Sequence, residues 1–99
     1  MTTKNKFKIL VIEDHITMRK GIQTVLGKSG YDVIAAKNGY EGVRLFTEEH
    51  PNIVISDLKL PGKNGMELLK EFLEKRPETI MLIISAYGTI DLAVNALKL

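Results

Sequence analysis

Lys8-Ile-Leu-Val-Ile-Glu-Asp14 decides the fold, because it is a short, β-branched apolar run that stops abruptly on two carboxylates. An apolar run of this length, bounded by charge, reads as a buried strand. The residues after it follow a different period. Met18, Ile22, Val25 and Leu26 recur at helical spacing, and Gly30 is a natural helix stop. Gly27-Lys-Ser-Gly30 contains the tail of a phosphate-binding loop, but Ile22 stands where that motif needs glycine, and the segment closes a helix. It reads as a C-terminal cap.

The same alternation then repeats. Tyr31 to Ala36 reads as a second strand, and Asn38 with Glu41 forms a capping-box pattern for a helix that ends near His50-Pro51. Ile53 to Ser56 is a third strand. After the turn residues Pro61, Gly62 and Gly65, a second capping-box pattern, Asn64 to Glu67, opens a helix carrying Met66, Leu69, Phe72 and Leu73 up to Pro77. Ile80 to Ile84 is a fourth strand, and Thr89 can cap a last helix holding Ala93, Val94 and Leu97. Strands and helices alternating with short connections predict a parallel sheet covered by helices, since parallel strands need crossovers. Helices this short gain their stability by burying an apolar face against the sheet.

A chain of 99 residues has room for one hydrophobic core. Hydrophobic residues at 44% and charged residues at 26% are ordinary globular composition. The net charge of +2 comes from 14 basic and 12 acidic residues with the basic ones scattered, so nucleic acid is not an expected partner. The absence of cysteine excludes disulfides and thiolate metal sites, and a cytoplasmic setting fits. The apolar run Ile9 to Ile12 is too short for a signal-peptide core or a membrane span, and no membrane association is expected.

In open α/β sheets ligands bind beyond the carboxyl ends of the strands. Those ends carry Glu13-Asp14 after the first strand, Asp57 after the third and Ser85 after the fourth. Three carboxylates packed together repel one another unless a cation neutralises them. A hard ion such as magnesium takes oxygen ligands and commonly pairs one or two carboxylates with a substrate phosphate. With that charge shielded, a carboxylate can attack phosphorus and form an acyl phosphate. Because a hard cation wants oxygen donors, His15 and His50 read as surface or helix-end residues without a role. No G-x-G-x-x-G follows a strand, so dinucleotide binding has no support.

Ile9-Leu-Val-Ile-Glu-Asp14, Ser56-Asp-Leu-Lys-Leu-Pro-Gly62 with Gly65, and Ile83-Ile-Ser-Ala-Tyr-Gly88 together resemble the receiver domains of two-component response regulators across essentially the whole chain. The resemblance implies a flavodoxin-like three-layer sandwich with parallel strand order 2-1-3-4 in this chain, a fifth strand and helix falling after Leu99. Residues 1–99 are then one receiver domain, incomplete at its C-terminus. It implies that Asp57 is phosphorylated by a sensor histidine kinase, that Glu13, Asp14, Asp57 and the Lys59 carbonyl hold Mg2+, and that Ser85 hydrogen-bonds the phosphoryl group and moves on activation. Tyr87 and the Lys59 side chain would flank the site. The lysine that family members place at the end of the fifth strand falls after Leu99, as would an output domain. The resemblance describes a signalling switch, not an enzyme.

The rival reading is a magnesium-dependent phosphohydrolase with an aspartate nucleophile, similar to the haloacid-dehalogenase-like enzymes. Those enzymes need a second Asp two residues after the nucleophile, where this chain has Lys59. The unbroken apolar run Ile80-Met-Leu-Ile-Ile84 reads as a strand buried on both faces and paired on both sides. Without a fifth strand it is an unprotected edge, expected to pair with a second copy or to exchange segments.

Overall fold

Four apolar segments form the parallel strands β1 (Lys8–Ile12), β2 (Asp32–Ala36), β3 (Ile53–Asp57) and β4 (Ile80–Ile84) in the computed structural model, which describes residues 7–84 and the backbone of 90–92. Helices α1 (Ile16–Lys28), α2 (Gly39–Glu49) and α3 (Gly65–Lys75) connect them, and a short β5 (Ile90–Leu92) follows. The sheet order is β2-β1-β3-β4-β5. The crossover from β1 to β2 runs in one direction along the sheet and the next two run in the other. Right-handed connections therefore put α1 on one face and α2 with α3 on the opposite face. This is the flavodoxin-like arrangement, with the parallel order 2-1-3-4.

Register decides which side chains share the core. Leu10 lies opposite Val54 and Val54 opposite Met81, while Ile12 lies opposite Ser56. Side chains along a strand alternate between faces, so Leu10, Ile12, Val54 and Met81 point together toward Phe46 of α2 and Leu68 and Phe72 of α3. The Phe46 and Phe72 rings stack with centroids 4.0 Å apart and planes 3° from parallel. The Arg76 guanidinium sits 4.1 Å from the Phe46 ring centroid, and its Nη2 donates to the Phe46 carbonyl at 2.5 Å. Its Nη1 is buried without a hydrogen-bond partner, a cost that the negative face of the ring partly offsets.

The helix starts follow their capping residues. Asn64 and Glu67 complete the reciprocal capping box at α3. At α2 the Asn38 side chain accepts from the Glu41 N–H, but the Glu41 carboxylate reaches one residue further back, to the Lys37 N–H. At the end of α1, Gly30 takes φ +97°, a conformation that costs glycine little, as the C-cap reading expects. The buried side of α1 differs from its apolar spacing. Its half-buried positions are Arg19, Ile22, Gln23 and Leu26, whereas Met18 and Val25 are exposed. The inward stripe is rotated about a quarter turn because Arg19 is drawn toward the sheet, where its guanidinium donates to the Glu13 carbonyl at 2.9 Å.

Over Ile90–Leu92 the chain is a strand, not the beginning of a helix. β5 runs antiparallel to β4, pairing Ile90 with Ile84 and Leu92 with Leu82. An unpaired β4 would leave a row of N–H and C=O groups without partners, and that demand outweighs a short helical pattern. Ile90-Asp-Leu92 alternates apolar and polar residues as a strand does. The edge expected to recruit a second copy is thus occupied along Leu82–Ile84. Thr89, Ala93, Val94 and Leu97 lie outside the described residues.

Two predictions follow from this packing. Arg76→Ala removes the ring contact and the bond to the Phe46 carbonyl together, and should destabilise the fold by about 1–3 kcal/mol. A urea midpoint within error of the parent would contradict it. Glu71 accepts from Lys63 at 2.8 Å and from Lys75 at 3.2 Å. The Lys63 hydrogen bond is the chief cause holding its carboxyl below the usual 4.5. A group whose pKa is lowered on folding contributes stability that is present above the unfolded value and lost as pH falls through the folded one. The stability difference between the parent and Glu71→Gln should therefore be present at neutral pH and shrink below pH 4.5. Denaturation curves across that range measure it.

Candidate functional site

β1 and β3 lie side by side and run in the same direction, with Ile12 opposite Ser56, so both strands deliver their next residues to one rim. The Glu13 N–H still donates to the Ala36 carbonyl of β2 at 3.1 Å, which keeps the chain on the sheet for one more residue. The Glu13 side chain is only 5% exposed. Its Oε2 accepts from the His15 N–H at 3.0 Å and lies 2.9 Å from His15 Nδ1. Asp14 follows with one carboxylate oxygen, Oδ1, buried and without a hydrogen-bond partner. It sits 3.4 Å from His15 Nδ1.

Across the rim, Asp57 Oδ1 accepts from the Lys59 N–H at 3.3 Å. One donor atom each from Glu13, Asp14, His15 and Asp57 lie within 4.8 Å of one another. The hydrogen bond to Glu13, followed by the negative charges of Asp14 and Glu13, raises the His15 imidazole above its ordinary 6.5. Asp14, His15 and Lys59 open onto a shallow cleft of about 590 Å3 that also contains Pro61 and Met66.

The loop after Asp57 is tied to its neighbours through one residue. The Leu58 N–H donates to the Ile84 carbonyl at the end of β4, and the Leu58 carbonyl accepts from Gly65 at the start of α3, both at 2.9 Å. Glycine is required at 65 by proximity. A Cβ there would meet the Asp57 carbonyl at 2.5 Å.

The structure therefore brings together Glu13, Asp14 and Asp57, with Lys59 alongside. Ser85 and Tyr87 lie outside the described residues. His15 is the member that sequence reasoning left without a role. Its place immediately after the acid pair is the signal that the sequence carries, and the preference of a hard cation for oxygen masks it. The donor set suits a divalent metal on one direct observation: a buried carboxylate oxygen lacking any donor is an acceptor that a cation would satisfy.

The chain matches the response regulator receiver domain family over residues 9–99, and it belongs to that family. It is 33% identical to sporulation initiation phosphotransferase F of Bacillus subtilis, across 93% of this chain and 74% of that protein. Among solved structures, a response regulator receiver domain protein from Clostridium thermocellum is similar with a TM-score of 0.79 and 33% identity, covering 91% of this chain and 70% of that one. The response regulator TrrA of Thermotoga maritima, crystallised in complex with Mg(2+)-BeF, is similar with a TM-score of 0.78 and 29% identity, covering 83% and 71%. Other relatives are much longer, and the chain spans only 39% of one transcriptional regulator and 21% of another regulatory protein. The protein is thus a receiver domain of the two-component response regulator type.

Gly65→Ala tests how tightly the site is built. Overpacking against the Asp57 carbonyl should cost about 1–3 kcal/mol and concentrate amide chemical-shift changes at Leu58, Lys59 and the first turn of α3. A variant with parental stability and an unchanged spectrum would show that the loop accommodates a methyl group freely.

Proposed function

We propose that Asp57 accepts a phosphoryl group from a sensor histidine kinase in the cytoplasm, and that an output domain or partner protein reads the change. The observation that carries this reading is the gathering of the Asp57, Glu13 and Asp14 carboxylates within 4.8 Å at the ends of adjacent strands. The TrrA complex with Mg(2+)-BeF supports it by likeness. Glu13, Asp14, Asp57 and the Lys59 carbonyl would hold Mg2+, and Ser85 would donate to a phosphoryl oxygen and move on activation. When bound, the ion supplies positive charge that offsets the repulsion between these carboxylates and the incoming phosphoryl oxygens.

The remaining work falls to the protein. Glu13 is fixed by its contacts to His15, and Asp57 is oriented by the Lys59 N–H, so the nucleophile is positioned before the donor arrives. A carboxylate oxygen of Asp57 forms the new bond to phosphorus as the bond between phosphorus and the kinase imidazole nitrogen breaks. That nitrogen leaves with the electron pair and takes a proton. The added negative charge then sits beside Leu58, whose backbone N–H and carbonyl bond β4 and α3.

The test is to incubate the full-length protein with acetyl phosphate and magnesium and read the intact mass. The parent should gain one phosphoryl group, Asp57→Asn should gain none, and Asp14→Asn should label far more slowly. Undiminished labelling of Asp57→Asn would move the acceptor elsewhere.

A further inference from the structure

The four-donor cluster is not an all-oxygen site. His15 Nδ1 is 2.9 Å from Glu13 Oε2 and 3.4 Å from Asp14 Oδ1. Two atoms bound to one zinc-class ion at about 2.0–2.1 Å, with tetrahedral or right-angled geometry, are about 2.8–3.4 Å apart. The imidazole nitrogen thus already stands at ligand spacing from both carboxylates. The full spread of 4.8 Å exceeds the about 4.2 Å between opposite ligands of such an ion by about 0.6 Å. His15 reaches the cluster from the outside, with its side chain 77% exposed, so its ring can adjust without disturbing the core. Asp14 Oδ1 is buried and accepts no hydrogen bond, so a metal ligated there would satisfy it.

We propose that His15 is a nitrogen ligand that makes this site take zinc-class divalent ions, such as Zn2+ or Ni2+, in competition with magnesium. The inference rests on the metal site argued above and concerns its selectivity and regulation. Imidazole favours zinc, copper and nickel, whereas magnesium prefers oxygen and keeps its waters. An ion held by three carboxylates and a nitrogen also has fewer positions left for a phosphoryl oxygen. Binding of such an ion would block phosphorylation of Asp57 in place of assisting it.

Isothermal titration of the metal-free protein with NiCl2 and, separately, with MgCl2 tests this. His15→Asn should weaken nickel binding at least tenfold and leave magnesium binding within twofold of the parent. His50→Asn should alter neither. Nickel affinity unchanged in His15→Asn would overturn the proposal, and so would an equal loss for both metals, which would make His15 a general support of the loop. Asp14→Ala separates the two readings. If it leaves magnesium binding intact, the magnesium site itself is misplaced, while the nickel comparison still judges His15.

Discussion

Because β1 and β3 run side by side in the same direction, both strands leave the sheet at the same rim, and like charges carried just past their ends are forced together. Everything distinctive about this molecule depends on that constraint. The strands are apolar because the sheet is covered on its α2/α3 face by a packed core, and the helices exist because parallel neighbours cannot be joined by a hairpin. Glu13 and Asp14 follow the last residue of β1 and Asp57 is the last residue of β3, so the three carboxylates stand where the hydrogen-bond ladder gives way to loops. The fold therefore holds close to one another groups that would separate if free.

The crowding is managed locally. Glu13 is buried yet answered by the His15 N–H and ring, and its backbone carbonyl is held by Arg19. Asp57 has the Lys59 N–H. Asp14 Oδ1 is buried and accepts no hydrogen bond, with His15 Nδ1 3.4 Å away. Such a group is costly in a folded protein, and a cation bound there would satisfy it. Stability and readiness for a ligand are here two descriptions of the same unmet demand.

Much of this was legible in the residues because the strongest signals are local. The runs Ile9–Ile12, Ile53–Ser56 and Ile80–Ile84 are too short and too β-branched to read as helices, and Asn64 with Glu67 marks the start of α3 by a two-way hydrogen bond that the structure contains. The placement of Glu13, Asp14 and Asp57 on one rim followed from strand order, which the family resemblance supplied. What escaped depends on contacts between elements. The inward side of α1 is set by Arg19 reaching the Glu13 carbonyl, which apolar spacing cannot register. Ile90–Leu92 fits two periods over so few residues, and the open side of β4 decides between them. His15 belongs to the cluster because the turn after β1 folds its ring back, a matter of geometry rather than residue type.

Leu58 has a mechanical meaning. Its N–H is committed to the last residue of β4 and its carbonyl to the first residue of α3, so one residue ties the strand to the helix. A displacement of the backbone beside Asp57 is felt by the strand through the peptide before Leu58 and by the helix through the peptide after it. Neither element can yield alone without breaking a hydrogen bond. Leu58 thus works as a cross-brace, fastening the loop that follows Asp57 to two elements at once.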